Sequence, residues 1–276
     1  MEHNKNYKTQ IHPTAIVSSK AKLGINVYIG PYCIIGPHVH ISDHVSLHDH
    51  VTINGYTTIG DYTIVYPFAC LGDPPQDLSY HGEPSQLIIG SHNKIGHYVT
   101  MNGGTENGGL ITRIGNYGIF MDGSHVAHNC EIGDYVVIPN HVLLAGHVKV
   151  GNNVVFGGAS SVVQNTRIGS GAFVTAHTLV SKHVIPYGIV SGFRARLRGL
   201  NLTGMKRLHI SNRDIHIVRQ AYKILFDKSK EDLWKESVKK IKNEFPDNPY
   251  VQEIVEFIER PTKKAFCTPY SAEDDI

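Results

Sequence analysis

The sequence predicts a parallel β-helix, a solenoid of very short strands, followed by a small α-helical domain. An aliphatic residue returns every six positions from Ile11 to Val180, and Gly often follows it, as in Ile29-Gly30 and Ile132-Gly133. A six-residue repeat of this length is the pattern of a parallel β-helix. The repeat ends at Ile185-Pro186, and apolar residues then recur at helical spacing.

Three six-residue units close one triangular coil, so residues 18 apart stack ~4.8 Å apart along the solenoid axis. The aliphatic residue points inward from its strand, and the following Gly relieves crowding at the corner. No coil hides its apolar face alone, so only stacking gives a continuous core. The rival fold is an antiparallel sandwich, whose period of two does not hold a six-residue register this long.

The change of pattern divides the chain into two parts. We expect residues 1–198 to form the β-helix, with excursion loops near residues 73–86 and 103–110. Residues 199–276 are expected to form the α-helical domain.

Three helices are expected in this second part. Ser211-x-x-Asp214 resembles a capping box that opens the first helix. A second helix is expected from Glu231 to Glu244, and a third around Val251–Ile258, before Pro261. The tail from Lys263 to Ile276 is expected to be loosely ordered.

Composition narrows the class of protein. A net charge of +2 over 276 residues argues against a nucleic-acid partner, which usually requires a strongly basic face. No apolar run reaches the ~18 residues of a membrane span, and the N-terminus lacks the apolar core of a signal peptide. The four cysteines are scattered without a CxxC motif, which favours free thiols in a reducing cytoplasm. We therefore expect a cytoplasmic protein without an integral membrane segment.

The two interruptions of the repeat are candidate parts of a binding site. They are Asp73–Gly82 and Gly103–Gly109. Insertions on one face of a repeat protein often mark its binding face, although a tolerated surface insertion is the alternative.

Register brings an imidazole close to a glycine after the second interruption. His128, Gly146 and Gln164 are each 18 residues apart. If the coils continue without insertion, these residues form one stack, beside a second stack of Asn129, His147 and Asn165. The period thus places a base, His128, next to backbone donors on one face.

Several stretches together carry a resemblance to a known family. In chain order they are Ile11–Ala15, Gly72–Leu78, Gly82–Pro84, His125–Cys130, Leu144–His147, Asn201 and Gly204–Arg207. They are similar to motifs of the hexapeptide-repeat acyltransferases that acylate UDP-N-acetylglucosamine in lipid A synthesis. The resemblance spans roughly residues 10–210.

The resemblance implies a left-handed β-helix, a homotrimer, and active sites in the clefts between subunits. It also implies transfer of a 3-hydroxyacyl group from acyl carrier protein to a UDP-sugar. The donor carries this group on its phosphopantetheine arm, and no cofactor or metal is expected. His128 matches the general base, a role that suits histidine because its ordinary pKa is close to neutral. Gly146 matches the residue whose N–H faces the developing oxyanion, a donor whose loss costs ~3 kcal/mol.

The resemblance also implies substrate-binding residues. Matches to positions that hold the sugar, the acyl chain or the pantetheine arm are Gln76, Asp77, His125, His147 and Gln164. Asn201 and Arg207 match the nucleotide-contacting segment, where a guanidinium can bind a phosphate. Phe173 and Ala176 align with the region that measures acyl length.

Five single positions and the segment Ser191–Arg194 depart from the family pattern. Where the usual bacterial enzymes have Lys, His, Asp, His and Glu, this chain has Ser79, Asn102, Asn129, Val163 and Thr203. The Asn129 amide can accept a hydrogen bond from an imidazole N–H but supplies no charge. These changes leave a 3-amino sugar open as the acceptor, beside UDP-N-acetylglucosamine.

Three other functions remain open. One is a sugar N-acyltransferase that uses acetyl-CoA or another donor, and another is a non-catalytic scaffold. The third is a metal enzyme of the γ-carbonic-anhydrase type, with zinc held by His125, His128 and His147. The position of Gly146, rather than a histidine, above His128 weighs against a metal site.

Overall fold

Strands of two to five residues wind into a prism of three sheets in this computed structural model, which describes residues 8–227 and 234–270. Each coil adds one strand to sheet A, then sheet B, then sheet C, and a corner follows each strand. We call the corners A/B, B/C and C/A after the sheets that they join.

The three sheets contain eleven, nine and eight strands. Sheet A comprises β1 (Gln10–Ile11), β4 (Tyr28–Ile29), β7 (Ser46–Leu47), β10 (Ile64–Val65), β13 (Lys94–Ile95), β16 (Ile119–Phe120), β19 (Val137–Ile138), β22 (Val155–Phe156), β25 (Phe173–Val174), β27 (Gly188–Ser191) and β28 (Arg196–Leu200). Sheet B comprises β2 (Ile16–Val17), β5 (Ile34–Ile35), β8 (Thr52–Ile53), β11 (Cys70–Asp73), β14 (Thr100–Asn102), β17 (His125–Val126), β20 (Leu143–Leu144), β23 (Ser161–Val162) and β26 (Leu179–Val180). Sheet C comprises β3 (Lys22–Leu23), β6 (His40–Ile41), β9 (Tyr56–Ile59), β12 (Gln86–Ile89), β15 (Ile111–Ile114), β18 (Glu131–Ile132), β21 (Lys149–Val150) and β24 (Arg167–Ile168).

The core is a column of the inward aliphatic and aromatic residues of successive coils. Ile29 pairs with Leu47, and Leu144 pairs with Val162, which is the expected 18-residue register. All four side chains are at most 2% exposed. The pairing is parallel except between β27 and β28, which close the prism as an antiparallel hairpin. The predicted left-handed parallel β-helix followed by α-helices is confirmed.

Two different positions shape each corner. A Cβ added at Gly60 or Gly133 would lie 2.6 or 2.8 Å from backbone carbon of the next coil, so glycine there permits close stacking. The left-handed corner position, by contrast, is mostly filled by larger residues, such as Asn129 and Tyr135, both with φ of 57°. Polar and aromatic side chains therefore project from all three corners.

Four α-helices follow the prism: α1 (Leu202–Arg207), α2 (Asn212–Leu225), α3 (Trp234–Glu244) and α4 (Pro249–Glu259). Ser211 is the N-cap of α2, because its hydroxyl accepts a hydrogen bond of 3.1 Å from the Asp214 N–H. Helix α1 was not predicted. The expected start of α3 at Glu231 lies outside the described residues. None of the described helices is long and apolar enough to cross a membrane.

The tail differs from the expectation of loose order as far as residue 270. The Cys267 N–H donates to the His183 carbonyl at 2.7 Å, and the Leu197 N–H donates to the Thr268 carbonyl at 2.9 Å. The apolar side chain of Cys267 is 1% exposed, so its burial holds this segment on the prism. Residues 271–276 lie outside the described part. The boundary expected at residues 198 and 199 falls within β28 and stays a prediction.

Two loops leave the prism beside corner B/C. Loop 1, residues 74–85, connects β11 to β12, and loop 2, residues 103–110, connects β14 to β15 and contains a 3-10 turn at Glu106–Gly108. Both leave sheet B and rejoin sheet C, and they occupy the predicted interruptions of the repeat.

Candidate active site

Corner B/C carries the stack that the period predicts. His128, Gly146 and Gln164 each lie two residues past a strand of sheet B, and those strands pair in register, His125 with Leu143 and Leu143 with Ser161. A Cβ added at Gly146 would lie 2.4 Å from both Cε1 and Nε2 of His128. The imidazole, 5% exposed, therefore occupies the space that any other residue at position 146 would need.

The Asn129 amide fixes the protonation pattern of this imidazole. The Thr105 N–H donates to Asn129 Oδ1 at 2.9 Å, and Asn129 Nδ2 donates to the Thr105 carbonyl at 3.1 Å. A backbone N–H only donates and a carbonyl only accepts, so the orientation of the amide is determined. Because Oδ1 also lies 2.9 Å from His128 Nδ1, that nitrogen carries the proton. In the neutral ring, Nε2 therefore keeps its lone pair, as a general base requires.

Loop 2 is shaped to lie on this amide. A Cβ on Gly104 or Gly108 would lie 2.7 or 2.2 Å from Asn129 Nδ2. The Asn129 N–H also donates to Thr112 Oγ1 at 2.8 Å. Sequence reasoning missed Thr105 and Thr112, since neither occurs at a spacing that relates it to His128.

Loop 1 places a carboxylate opposite the free nitrogen. Asp77 Oδ2 lies 3.4 Å from His128 Nε2. The hydroxyl and N–H of Ser79 donate to Asp77 Oδ1 at 2.7 and 2.8 Å, and these bonds are the main cause that lowers the pKa of Asp77. With the ring neutral, two hydrogen-bond acceptors face each other, an arrangement suited to donors on a bound molecule. Ser79, one of the departures from the family pattern, orients this carboxylate.

Two further histidines flank the base. The His147 ring stands edge-on to His128 with centroids 5.1 Å apart. His125 Nδ1 shares a hydrogen bond of 2.7 Å with Thr100 Oγ1. Burial is the main cause that lowers the pKa of both His125 and His147, and the nearby His128 adds to it. Both rings are therefore neutral at neutral pH.

The predicted nucleotide residues lie elsewhere, around a cavity of ≈ 420 Å³ at corner C/A. Phe173, Asn201, Thr203 and Arg207 line it. The Asn201 side chain is engaged within the chain, because Oδ1 accepts from the Gly204 N–H and Nδ2 donates to the Gly171 carbonyl, both at 2.9 Å. Asn201 thus caps α1 and shapes the cavity wall.

One chain does not bring these two clusters together. A strand of sheet C separates corner B/C, which carries His128, from corner C/A, which carries the cavity. Ala176 is exposed at corner A/B and belongs to neither cluster. Gln76, beside Asp77, and Gln164, in the His128 stack, are also exposed. The roles of these residues in substrate binding stay predictions.

The other departures from the family pattern occupy different surroundings. Asn102 is buried, and its Nδ2 donates to the Pro74 carbonyl at 2.8 Å, so it ties β14 to loop 1. Val163 is 38% exposed at corner B/C. Within residues 8–227 and 234–270, no three His, Cys, Asp or Glu side chains are grouped to hold a metal ion.

Known proteins align with this chain over nearly its whole length. A family model described as UDP N-acetylglucosamine O-acyltransferase, domain 2, matches residues 183–267. The acyl-[acyl-carrier-protein]–UDP-N-acetylglucosamine O-acyltransferase of Thermodesulfovibrio yellowstonii is 43% identical over 258 residues, covering 94% of this chain and 99% of its own length. The protein of the same name from Rickettsia canadensis is 46% identical over 259 residues, with 94% and 97% covered.

A solved structure supports the same family. A crystal structure of a UDP-N-acetylglucosamine acyltransferase matches with a TM-score of 0.91 and 40% identity, over 95% of this chain and 100% of that one. Because identity above 40% extends over 94% of its length, this chain belongs to the UDP-N-acetylglucosamine O-acyltransferase family.

Proposed function

We propose that this protein transfers a 3-hydroxyacyl group from acyl carrier protein to the 3-position of UDP-N-acetylglucosamine, the first step of lipid A synthesis. The observation that carries the proposal is the surroundings of His128 Nε2. This nitrogen, which carries no proton in the neutral ring, lies against the Gly146 backbone and 3.4 Å from the Asp77 carboxylate. A base, a carboxylate and a backbone donor are what acyl transfer to a sugar hydroxyl requires.

The reaction follows from these positions. The 3-hydroxyl of the sugar donates to His128 Nε2, and a neighbouring hydroxyl donates to Asp77. As the sugar oxygen attacks the thioester carbonyl carbon, its proton passes to Nε2. The C–S bond then breaks, and the imidazolium returns that proton to the departing thiolate.

Gly146 is the candidate donor to the oxyanion. Among the described residues, no oxygen accepts a hydrogen bond from the Gly146 N–H, so this donor is available. A preorganised donor of this kind stabilises the transition state by ~3 kcal/mol. The thioester is already an activated acyl group, so the proposal needs no metal and no redox cofactor.

We further propose a homotrimer, the assembly that the resemblance implies, and the outer faces of the prism support contact between subunits because they differ in polarity. Sheet A presents an outward column of apolar residues: Ile119, Val137, Val155, Phe173 and Ile189. Sheet B presents Ile16, Ile34 and Leu143, which are 68, 45 and 48% exposed. Sheet C presents charged residues instead: Lys22, Arg113, Glu131, Lys149 and Arg167. The apolar column of sheet A favours contact with another subunit.

In the proposed trimer, sheet A of each subunit contacts sheet B of the next around a threefold axis. Corner A/B then lies at the centre, and sheet C faces solvent. Corner C/A of one subunit meets corner B/C of its neighbour at the outer rim. That arrangement brings the cavity with Arg207 beside the His128 of the adjacent subunit, which supports a shared active site.

The cytoplasm is the proposed compartment. The four cysteines, all within the described residues, are free thiols. Free thiols are typical of a reducing compartment. The proposed substrates, acyl carrier protein and a nucleotide sugar, would be present in the same compartment.

The test is an assay of purified protein with 3-hydroxyacyl carrier-protein thioesters and two acceptors, UDP-N-acetylglucosamine and its 3-amino analogue. We expect turnover of the first and a loss of about 10²–10⁴-fold in His128→Ala, the usual contribution of a general base. The matched control is His40→Ala, which removes an exposed imidazole from sheet C, the face that the proposed trimer leaves to solvent. Undiminished turnover in His128→Ala would exclude this mechanism, and exclusive use of the amino sugar would change the product to an amide.

A further inference from the structure

A ladder of stacked aromatic rings runs along corner C/A. It consists of His44, Tyr62, His92, Tyr117 and Tyr135, which occupy the left-handed corner position of successive coils with φ of 57–59°. Adjacent ring centroids are 4.6–4.9 Å apart, and the rings are within 9° of parallel. The spacing of the rings is therefore that of the coils themselves.

The ladder stops at Tyr135. The next two corner positions are Asn153 and Gly171, which have no ring. The cavity with Arg207 opens at this point, and its wall includes Tyr135, Asn153 and Gly171. One face of the Tyr135 phenol is covered by Tyr117 at 4.8 Å, and the residue is 53% exposed.

The rest of the cavity has two kinds of surface. Val155, Phe173 and Ile189 form an apolar wall from the outer face of sheet A, and Arg207 contributes a guanidinium from α1. An apolar wall suits a flat heterocycle, and a guanidinium suits the phosphate oxygens attached to it. The cavity thus fits a nucleotide with its base towards Tyr135 and its phosphates towards Arg207.

We infer that Tyr135 is the stacking platform for the base of the nucleotide sugar, which extends the ladder of corner C/A by one more ring. The inference rests on the proposed function and adds to it the residue that recognises the base. A base stacks on an aromatic ring through its π face, so the contact contributes affinity for any nucleobase and selects against ligands that lack one. Tyr135 is then a binding residue and takes no part in the chemistry at His128.

The test compares Tyr135→Ala, Tyr135→Phe and a matched control, Tyr62→Ala. Tyr62 lies in the same ladder between His44 and His92, and it does not line the cavity. Loss of base stacking is expected to raise the KM for UDP-N-acetylglucosamine roughly 5- to 100-fold in Tyr135→Ala. The KM for the acyl carrier donor and kcat should change less than about twofold. Tyr135→Phe, which keeps the ring, and Tyr62→Ala should both retain the wild-type KM.

Calorimetry with UMP, which has a base but no sugar acceptor, gives a second readout. Wild type and Tyr135→Phe should bind UMP alike, and Tyr135→Ala should bind it more weakly by the same factor as the change in KM. An unchanged KM in Tyr135→Ala, or an equal rise in Tyr62→Ala, would overturn the inference while leaving the proposed function intact. Failure of the wild type to acylate either sugar nucleotide would instead overturn the proposed function.

Discussion

At His128 the two ring nitrogens meet different kinds of neighbour. The Asn129 amide accepts from Nδ1 and carries no charge, whereas the Asp77 carboxylate faces Nε2. Opposite charges a few ångströms apart attract each other. The imidazolium that forms during acyl transfer is therefore stabilised from the Nε2 side, by Asp77, and is only oriented from the Nδ1 side.

Replacement of Gly146 by Ala tests how closely the stack is packed. The new Cβ would lie 2.4 Å from His128 Nε2, so the imidazole must leave its position. We expect kcat/KM to fall at least about 10²-fold, the scale of losing a general base. The matched control is Gly36→Ala, which lies one residue past β5 at corner B/C and whose Cβ would meet nothing closer than 3.4 Å. Comparable activity in the two variants would contradict the packing argument.

The residues of this site differ in how far the sequence reveals them. His128 and Gly146 were found because stacking repeats every coil, so position follows from arithmetic. Thr105 was not, because loop 2 leaves the repeat and its course depends on contacts with Asn129. Tyr117 and Tyr135 are also 18 apart and could have been recognised, but the loops stretch the earlier ladder spacings between Tyr62, His92 and Tyr117.

At the scale of elements, hydrogen bonds connect loop 1 to loop 2 and to the strands beside them. The Asn102 amide donates to the Pro74 carbonyl of loop 1, and the Ser85 hydroxyl donates to the Gly104 carbonyl of loop 2. Asn54 Nδ2 also donates to Asp73 Oδ1 at 2.9 Å, where loop 1 begins. Loop 1 carries Asp77 and loop 2 carries Thr105, so these bonds set the distance between the two sides of the imidazole.

The docked tail packs against a buried histidine of the prism, and this histidine makes stability depend on pH. His183 is 1% exposed; the Arg167 N–H donates to its Nδ1 at 2.9 Å, and its Nε2 lies 2.6 Å from Thr262 Oγ1. Burial, with the nearby charges of Arg167 and Lys264, lowers the pKa of His183 to about 4. Above its ordinary pKa of ~6.5 the ring is neutral both folded and unfolded, so it adds no pH dependence there.

Between pH ~6.5 and 4 only the unfolded chain protonates this ring, so the free energy of unfolding falls as the pH is lowered through that range. The loss amounts to roughly 3 kcal/mol at the lower end. Urea denaturation at several pH values should show a shallower decline in His183→Gln than in wild type. The control is His216→Gln, which changes an exposed histidine of α2 and should keep the wild-type slope. Parallel slopes for His183→Gln and wild type would refute the role of this ring.

The helices show where pattern reading has limits. Helix α2 was predicted from its capping box and its apolar stripe, because both signals are local. Helix α1 has only six residues, with Gly204 inside it, so it has no periodic stripe to detect. It forms because the Asn201 amide caps its first turn and Met205 is fully buried. These contacts depend on the prism and are absent from the local sequence.

At the scale of the whole molecule, the proposed ring of subunits predicts complementation between two inactive variants. His128→Ala and Arg207→Ala remove residues from different corners, so a mixed trimer retains one interface with both residues intact. Random assembly of equal amounts should restore about a quarter of the wild-type activity. The measurement is turnover of co-expressed, co-purified mixtures, against each variant alone. No recovery in verified mixed trimers would mean that one chain supplies both residues.

In a solenoid, the distance between the nucleotide cavity and His128 can change only by whole coils. Removing six residues from the prism would carry every later side chain to a different corner, and the nucleotide cavity would then face the wrong neighbour. Removing eighteen residues would keep each later side chain at its corner and would move the nucleotide cavity ~4.8 Å along the prism axis, towards the level of His128. Relatives that accept longer or shorter acceptors through this architecture should therefore differ by complete turns of the coil, or else by loop length.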